Sequence, residues 1–260
     1  MCGMKTFGII PSRFGSSRFP GKPLAQLAGK PLVAWVVEAV QKARGLDEGL
    51  VATDDRRIAD VVERYGGKAV MTPSDLPSGT DRVACAARTF LGADFADDDI
   101  LVNVQGDEPL IDPALVERLV AKLKGDARWS MATAVTPFRS ADDFRLTSAV
   151  KVVTDRDDGA LYFSRAPIPC LRDGEMVFDG TVSSLYMRHL GIYAYRGAVL
   201  KKFIAEPPCP LERTEKLEQL RALWMGARIA VLRTLDEGNG VDTPEDAVRV
   251  GRLLEARKAK

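Results

Sequence analysis

Three cations follow directly on an apolar segment near the start of the chain. Pro11-Ser-Arg-Phe-Gly-Ser-Ser-Arg-Phe-Pro-Gly-Lys-Pro23 sets Arg13, Arg18 and Lys22 among glycines and serines. Small residues let backbone N–H groups close on an anion, and the cations neutralise it, the combination a triphosphate requires. The segment is not a Walker A loop, because five residues rather than four separate Gly15 from Gly21 and Pro23 stands where a magnesium-binding Ser or Thr belongs. A G-x-G-x-x-G dinucleotide fingerprint is also missing. A solvated turn with surface arginines is the plain alternative. The position between an apolar run and a helical pattern favours anion binding over it.

Two carboxylates stand in comparable places. Asp107, in Val102-Asn-Val-Gln-Gly-Asp-Glu-Pro109, comes just past a second apolar run, and Asp242, in Gly240-Val-Asp-Thr-Pro-Glu245, just past the last one. Carboxylates so placed suit Mg²⁺, which takes hard oxygen ligands and keeps several waters. Each also has a structural reading. Gly-Asp is a turn dipeptide, and Asp242 or Thr243 suits the N-cap of a helix opened by Pro244. A cap at Thr243 leaves the Asp242 carboxylate free. Ser78-Gly-Thr-Asp-Arg82 reads as a helix start capped by Ser78 or Thr80, with Gly79 allowing close backbone approach. The lone histidine lies in Met187-Arg-His-Leu-Gly-Ile-Tyr-Ala-Tyr195. A single strand histidine is ordinarily structural, yet Arg188, His189 and Tyr193 supply the donors a hydroxyl-rich anion needs. Strand alternation puts His189, Gly191 and Tyr193 on one face.

These groups need elements to carry them. Apolar runs at Thr6–Pro11, Gly49–Thr53, Lys68–Met71 and Ile100–Gln105 read as strands, alternating with helical patterns at Pro31–Ala43, Asp55–Tyr65, Thr80–Leu91 and Asp112–Lys124. Pro31 suits the first turn of its helix. The rhythm predicts an α/β fold with a mostly parallel sheet and helices on both faces. The loops Ser12–Pro23, Pro73–Thr80 and Gly106–Pro109 then meet beyond the carboxyl ends of the strands, where such sheets collect ligands. After about residue 130 strands dominate: Ser130–Val135, Val150–Thr154, Ala160–Ser164 and Leu185–Tyr195. A single helix Leu211–Trp224, with Leu217, Leu220 and Trp224 in the core, a strand Val231–Leu235 and a helix Thr243–Ala256 close the chain. With no linker or repeat in view, the expectation is one domain over residues 1–260 with a β-rich insertion at roughly 130–225.

Composition narrows the partners. The 260 residues carry 37 basic and 36 acidic side chains, so no basic excess points to nucleic acid. Cys2, Cys85, Cys170 and Cys209 have neither zinc nor disulfide spacing, which fits a reducing compartment. No apolar run reaches the ~18 residues of a membrane span, and no signal peptide is visible. A cytoplasmic protein acting on small anionic ligands is expected, with no membrane partner.

The motifs also carry a family resemblance. Arg13, Ser16, Arg18 and Pro20-Gly-Lys-Pro23 resemble the R-x-x-S-x-R-x-P-G-K-P signature of sugar nucleotidyltransferases, in the form used by 3-deoxy-manno-octulosonate (Kdo) cytidylyltransferases. V-N-V-Q-G-D-E-P, G-V-D-T-P-E-D, S-G-T-D-R, Y-F-S-R-A, R-H-L-G-I-Y and L-E-x-x-E-x-L-E-Q-L-R are similar to further motifs of that family, in order from Gly8 to Asp246. The resemblance implies a Rossmann-like nucleotidyltransferase fold whose insertion serves sugar binding and dimerisation. It implies transfer of CMP from CTP to the anomeric hydroxyl of Kdo, an acidic 3-deoxy sugar, for lipopolysaccharide synthesis. Arg13 and Lys22 are then catalytic on the phosphates, with Ser16, Ser78, Gly79 and Arg82 at the nucleotide. Asp107 and Asp242 share catalytic Mg²⁺. Gln105, Arg165, His189, Tyr193, Glu218 and Gln219 face the sugar. A homodimer is implied by the same resemblance. An 8-amino analogue of Kdo, or sialic acid, would use the same chemistry, and a CTP-binding regulator without catalysis is the reading from another class. The presence of both aspartates speaks against it.

Overall fold

The computed structural model describes residues 3–15, 18–92 and 95–258. Strand β1 (Thr6–Ser12) leads through the cationic loop to a small hairpin of β2 (Gln26–Leu27) and β3 (Lys30–Pro31), then α1 (Leu32–Lys42), β4 (Glu48–Thr53), α2 (Arg56–Arg64) and β5 (Lys68–Met71). There follow α3 (Gly79–Leu91), β6 (Ile100–Asn103), α4 (Pro113–Gly125), β7 (Met131–Pro137), α5 (Ala141–Arg145), β8 (Lys151–Thr154) and β9 (Ala160–Ser164). The last third holds β10 (Met187–Arg196), α6 (Gly197–Ala205), α7 (Pro210–Glu215), α8 (Gln219–Trp224), β11 (Ile229–Arg233) and α9 (Pro244–Lys258).

The expected parallel unit forms: β6, β1, β4 and β5 lie side by side in parallel register. The full order is β11-β7-β10-β6-β1-β4-β5, with β10 antiparallel to both its neighbours and β8 and β9 as an arm off β10. Two apolar layers cover the sheet. Leu32, Val36, Ile58, Val62, Leu115, Leu119, Val250 and Leu254 pack on one face. Val83, Ala87, Leu200, Phe203 and Leu220 pack on the other. Buried on both sides, the central strands need no polar face, which is why they read as continuous apolar runs.

Short polar residues start the helices as their hydrogen-bonding chemistry dictates. Asp55, Ser78, Asp112 and Ser140 each accept a backbone N–H from the first turn of the helix that follows. Other boundaries differ from expectation. Pro31 is extended (φ −58°, ψ 143°) and precedes α1 instead of lying within its first turn. The helix expected over Leu211–Trp224 is two helices, because Lys216 adopts the left-handed conformation (φ 54°, ψ 48°). The redirected α8 buries Leu220 and Ala222 but turns Trp224 outward, 59% exposed instead of in the core. The helix α6 has no counterpart in the sequence reading. It starts on Gly197, where any Cβ would lie 2.1 Å from the Ala96 carbonyl oxygen.

Candidate active site

The cationic loop folds back on itself at the end of β1. Gly21 is left-handed (φ 70°), and its N–H donates to the Phe14 carbonyl at 3.1 Å. Phe14 is pinned in turn, with its N–H on Asp54 (3.2 Å) and its ring beneath the Arg57 guanidinium (3.7 Å). The return brings Lys22 Nζ to 2.7 Å from Asp107 Oδ2 and 3.3 Å from Asp242 Oδ1. Arg18 adds a second cation at 3.1 Å from Asp242. Arg13 is exposed on the same loop and lines the cleft. Ser16 lies outside the described residues.

Both aspartates are carried by turns with little latitude. Gly106 crosses the end of β1 so closely that a Cβ there would sit 2.5 Å from the Pro11 carbonyl oxygen, which leaves only glycine. The Asp107 carbonyl accepts the Val241 N–H (2.9 Å), tying the two acidic turns together. At the start of α9, Thr243 Oγ1 accepts the Asp246 N–H (3.2 Å). The Asp246 carboxylate accepts the N–H groups of Asp242 and Thr243 (3.1 and 3.2 Å). This reciprocal cap belongs to Thr243 and leaves the Asp242 carboxylate for the site.

These loops and those at 76–79 and 105–107 enclose a cleft of about 420 Å³, with Arg13, Lys22, Ser78, Arg82, Asp107 and Asp242 in its walls. Ser78 caps α3 and donates from Oγ to Asp81 (2.8 Å). Gly79 presents backbone, and a Cβ there would meet only ordinary contact with Pro11. Arg82 is buried, held by Thr72 Oγ1 (2.6 Å) and Asp54 (3.4 Å). Asp54 thus joins the phosphate loop to the α3 wall. Sequence reasoning missed it, together with Phe14 and Arg57. Its one signal is its place at the end of a buried strand.

Gln105 and Glu218 line the cleft where it meets β10. Gln105 Nε2 donates to the Gly191 carbonyl (2.7 Å). Gly191 lies in an irregularity of β10, where Leu190 pairs with Ala134 but Tyr193 with Thr133. The two extra residues preserve strand parity, so His189 and Tyr193 share a face with ring centroids 5.3 Å apart. Thr133 Oγ1 lies 2.9 Å from His189 Nε2, and the edge of Phe163 packs at 5.0 Å. Burial among these groups lowers the imidazole pKa to about 3, so the ring is neutral. It raises that of the Tyr193 hydroxyl well above its usual range, keeping it a donor. Burial also raises Glu218, against the lowering influence of the neighbouring Thr80 and Ser78 hydroxyls. Gln219 is buried at the start of α8. Arg165, like His189, Tyr193 and Gln219, is not among the residues that line the cleft. Its guanidinium donates to the carbonyls of Glu215 (2.6 Å), Thr147 (2.9 Å) and Lys216 (3.3 Å). Glu108, beside Asp107, is raised to about 7 by burial and by Asp107 and Asp236, offset by Arg188.

The donor set suits Mg²⁺ better than a protein-enclosed metal. An ammonium bridging two carboxylates marks a place where a cation is stabilised. No group of three His, Cys, Asp or Glu able to hold a metal occurs among the described residues. Mg²⁺ sites of one or two carboxylates completed by phosphate and water have this form. No helix among the described residues is long and apolar enough to cross a membrane.

Sheet order and a cation-walled cleft beyond the strand ends define a nucleotidyltransferase, and the sequence pattern of the cytidylyltransferase family matches residues 7–229. The 3-deoxy-manno-octulosonate cytidylyltransferase of Anaeromyxobacter sp. is 51% identical over 95% of this chain and 96% of its own. That of Bdellovibrio bacteriovorus is 45% identical over 98% and 99%. A CMP:2-keto-3-deoxy-manno-octonic acid synthetase, solved in complex with CTP, superposes with a TM-score of 0.88 at 40% identity, covering 97% of this chain and 99% of that one. The chain belongs to the 3-deoxy-manno-octulosonate cytidylyltransferase family. A 4-diphosphocytidyl-2C-methyl-D-erythritol synthase at 12% identity and TM-score 0.65 shares the fold alone.

Proposed function

We propose that this chain transfers CMP from CTP to the anomeric C2 hydroxyl of Kdo, releasing pyrophosphate, and so activates the sugar for lipopolysaccharide synthesis. The observation that carries this reading is the grip of Lys22 on both Asp107 and Asp242 in a cleft that Gln105 and Glu218 also line. On this reading phosphates, metal and sugar meet in one place. Family membership and the CTP-bound relative support the choice of nucleotide and sugar.

Arg13 and Lys22 neutralise the triphosphate and the departing pyrophosphate, while Ser78, Gly79 and Arg82 wall the nucleotide. Gln105, Glu218, Gln219, His189 and Tyr193 orient the sugar, so that its hydroxyl lies in line with the α-phosphate. Positioning and charge neutralisation supply most of the rate in phosphoryl and nucleotidyl transfer. Asp107 and Asp242 would hold Mg²⁺, which would supply charge neutralisation at the phosphates and a lowered pKa for the attacking hydroxyl. Because the Thr133 hydroxyl donates to the Ile192 carbonyl, the Nε2–H of neutral His189 is spent on Thr133, and Nδ1 is left to accept from a sugar hydroxyl.

We also propose a cytoplasmic homodimer joined through the insertion, where Leu161, Val177 and Leu185 are 60%, 71% and 64% exposed. Pyrophosphate release from CTP and Mg²⁺ is measured with Kdo, 8-amino-Kdo, sialic acid and no sugar. Release with Kdo is expected. Release only with another sugar moves the substrate, and silence with all of them from folded, CTP-binding protein overturns the catalytic reading.

A further inference from the structure

The break between α7 and α8 is costly on its own terms and has no sequence reason. Lys216 is left-handed, a conformation in which an L side chain crowds the following carbonyl. No glycine or asparagine eases it. Such strain persists only where surrounding contacts over-determine it, and here they converge from one strand end. Arg165 Nε and Nη2 hold the carbonyls of Glu215 and Lys216 themselves. In return, the Glu215 carboxylate accepts the Arg165 N–H (2.9 Å) and the Ser164 hydroxyl (2.6 Å). Lys151, fully buried, fixes the far side by donating to the carbonyls of Arg165 (2.8 Å) and Leu146 (2.7 Å). Behind the turn, Lys216 N–H bonds the Glu212 carbonyl (2.7 Å), and the Glu212 carboxylate is paired with buried Arg221.

The turn's product is the placement of the next residues. Glu218 stands two positions on, at the start of α8, and reaches the cleft. Gln219 follows, buried. A continuous helix through residues 211–224 would carry both side chains to other directions.

We infer that Arg165 is a positioning residue: with Glu215 it clamps the left-handed turn at Lys216 and so aims Glu218 and Gln219 at the sugar, without touching the sugar itself. The inference rests on the proposed sugar site at Glu218 and Gln219. It differs from the role that the family resemblance implies for Arg165.

Glycine is indifferent to the left-handed conformation, and this makes the test specific. Arg165→Ala is expected to raise KM for Kdo roughly tenfold with KM for CTP within about twofold, the split of a lost ground-state contact to one substrate. Adding Lys216→Gly should bring KM for Kdo back to within about threefold of wild type, while Lys216→Gly alone stays near wild type. A double variant as impaired as Arg165→Ala alone would mean direct contact with the sugar, and would overturn the inference. Hydrogen exchange of the amides at 216–221 is read in the same proteins. Exchange faster in Arg165→Ala and slowed again by Lys216→Gly supports the clamp, and unchanged exchange in both overturns it. This readout needs no turnover, so it stands even if wild type releases no pyrophosphate with Kdo, a result that would count against the substrate reading instead. If Arg165→Ala does not fold, Glu215→Ala takes its place with the same expected rescue.

Discussion

His189 is the only histidine in the chain, so its ionisation can be followed without overlap. Thr133, Phe163 and Tyr193 surround its ring, and burial lowers its pKa to about 3 from an ordinary 6.5. The unfolded chain takes up a proton as pH falls through about 6.5, whereas the native state does so only near 3. The stabilisation is therefore complete above about pH 6.5 and is lost progressively as pH falls toward the folded value. Each pH unit in that window is worth about 1.36 kcal/mol. At pH 5, about 1.5 units below the unfolded pKa, wild type should have lost about 2 kcal/mol through this group. That figure is a ceiling, because the residue keeps part of its surface open. Urea unfolding at about pH 5 and pH 8 of wild type and His189→Gln isolates the contribution from that of the carboxylates. Wild type should lose up to about 2 kcal/mol more than the variant. In parallel, the ring nitrogens observed by NMR should report a neutral imidazole down to about pH 4. A native midpoint near 6.5, or equal acid sensitivity in the two proteins, would refute the reasoning. It would also make the ring a cation during turnover.

Asp107→Asn keeps the side-chain shape but removes the charge that Lys22 grips. Turnover should drop by about 10²–10³ with unchanged circular dichroism, and near-normal turnover would remove Asp107 from the metal site. Gly106→Ala forces a methyl onto the Pro11 carbonyl. A loss of roughly 1–3 kcal/mol in thermal unfolding is expected, with activity falling as Asp107 is displaced. Glu212→Gln leaves the buried Arg221 guanidinium without its ion pair. Urea denaturation should show roughly 3–5 kcal/mol lost, far more than any exposed pair on this surface would cost.

Much of the fold could be read in advance because burial on both faces writes itself into composition. The parallel strands β1, β4 and β6 are runs such as Ile100–Asn103, and Ser78 announced its helix through capping chemistry. The loops that hold Lys22, Asp107 and Asp242 were legible for the same reason, since each follows a strand that must end at one edge. Other features left no local trace. The left-handed backbone at Lys216 has no turn residue to mark it, and the start of α6 follows directly from a strand.

Sequence by itself determined the inventory: which side chains bear charge, which glycines permit close approach, and which segments must be buried. It could not decide what those side chains spend their hydrogen bonds on, because that depends on neighbours distant along the chain. By resemblance Arg165 faces the sugar, yet its donors are taken by the carbonyls of Glu215, Lys216 and Thr147. His189 reads as a donor to a hydroxyl-rich anion, and residues from β7 and β9 make charging it unfavourable. Asp54 has no role in the sequence reading, yet it joins Phe14 of the phosphate loop to Arg82 of α3. Directional bonds and desolvation act through space, so only the tertiary structure assigns them.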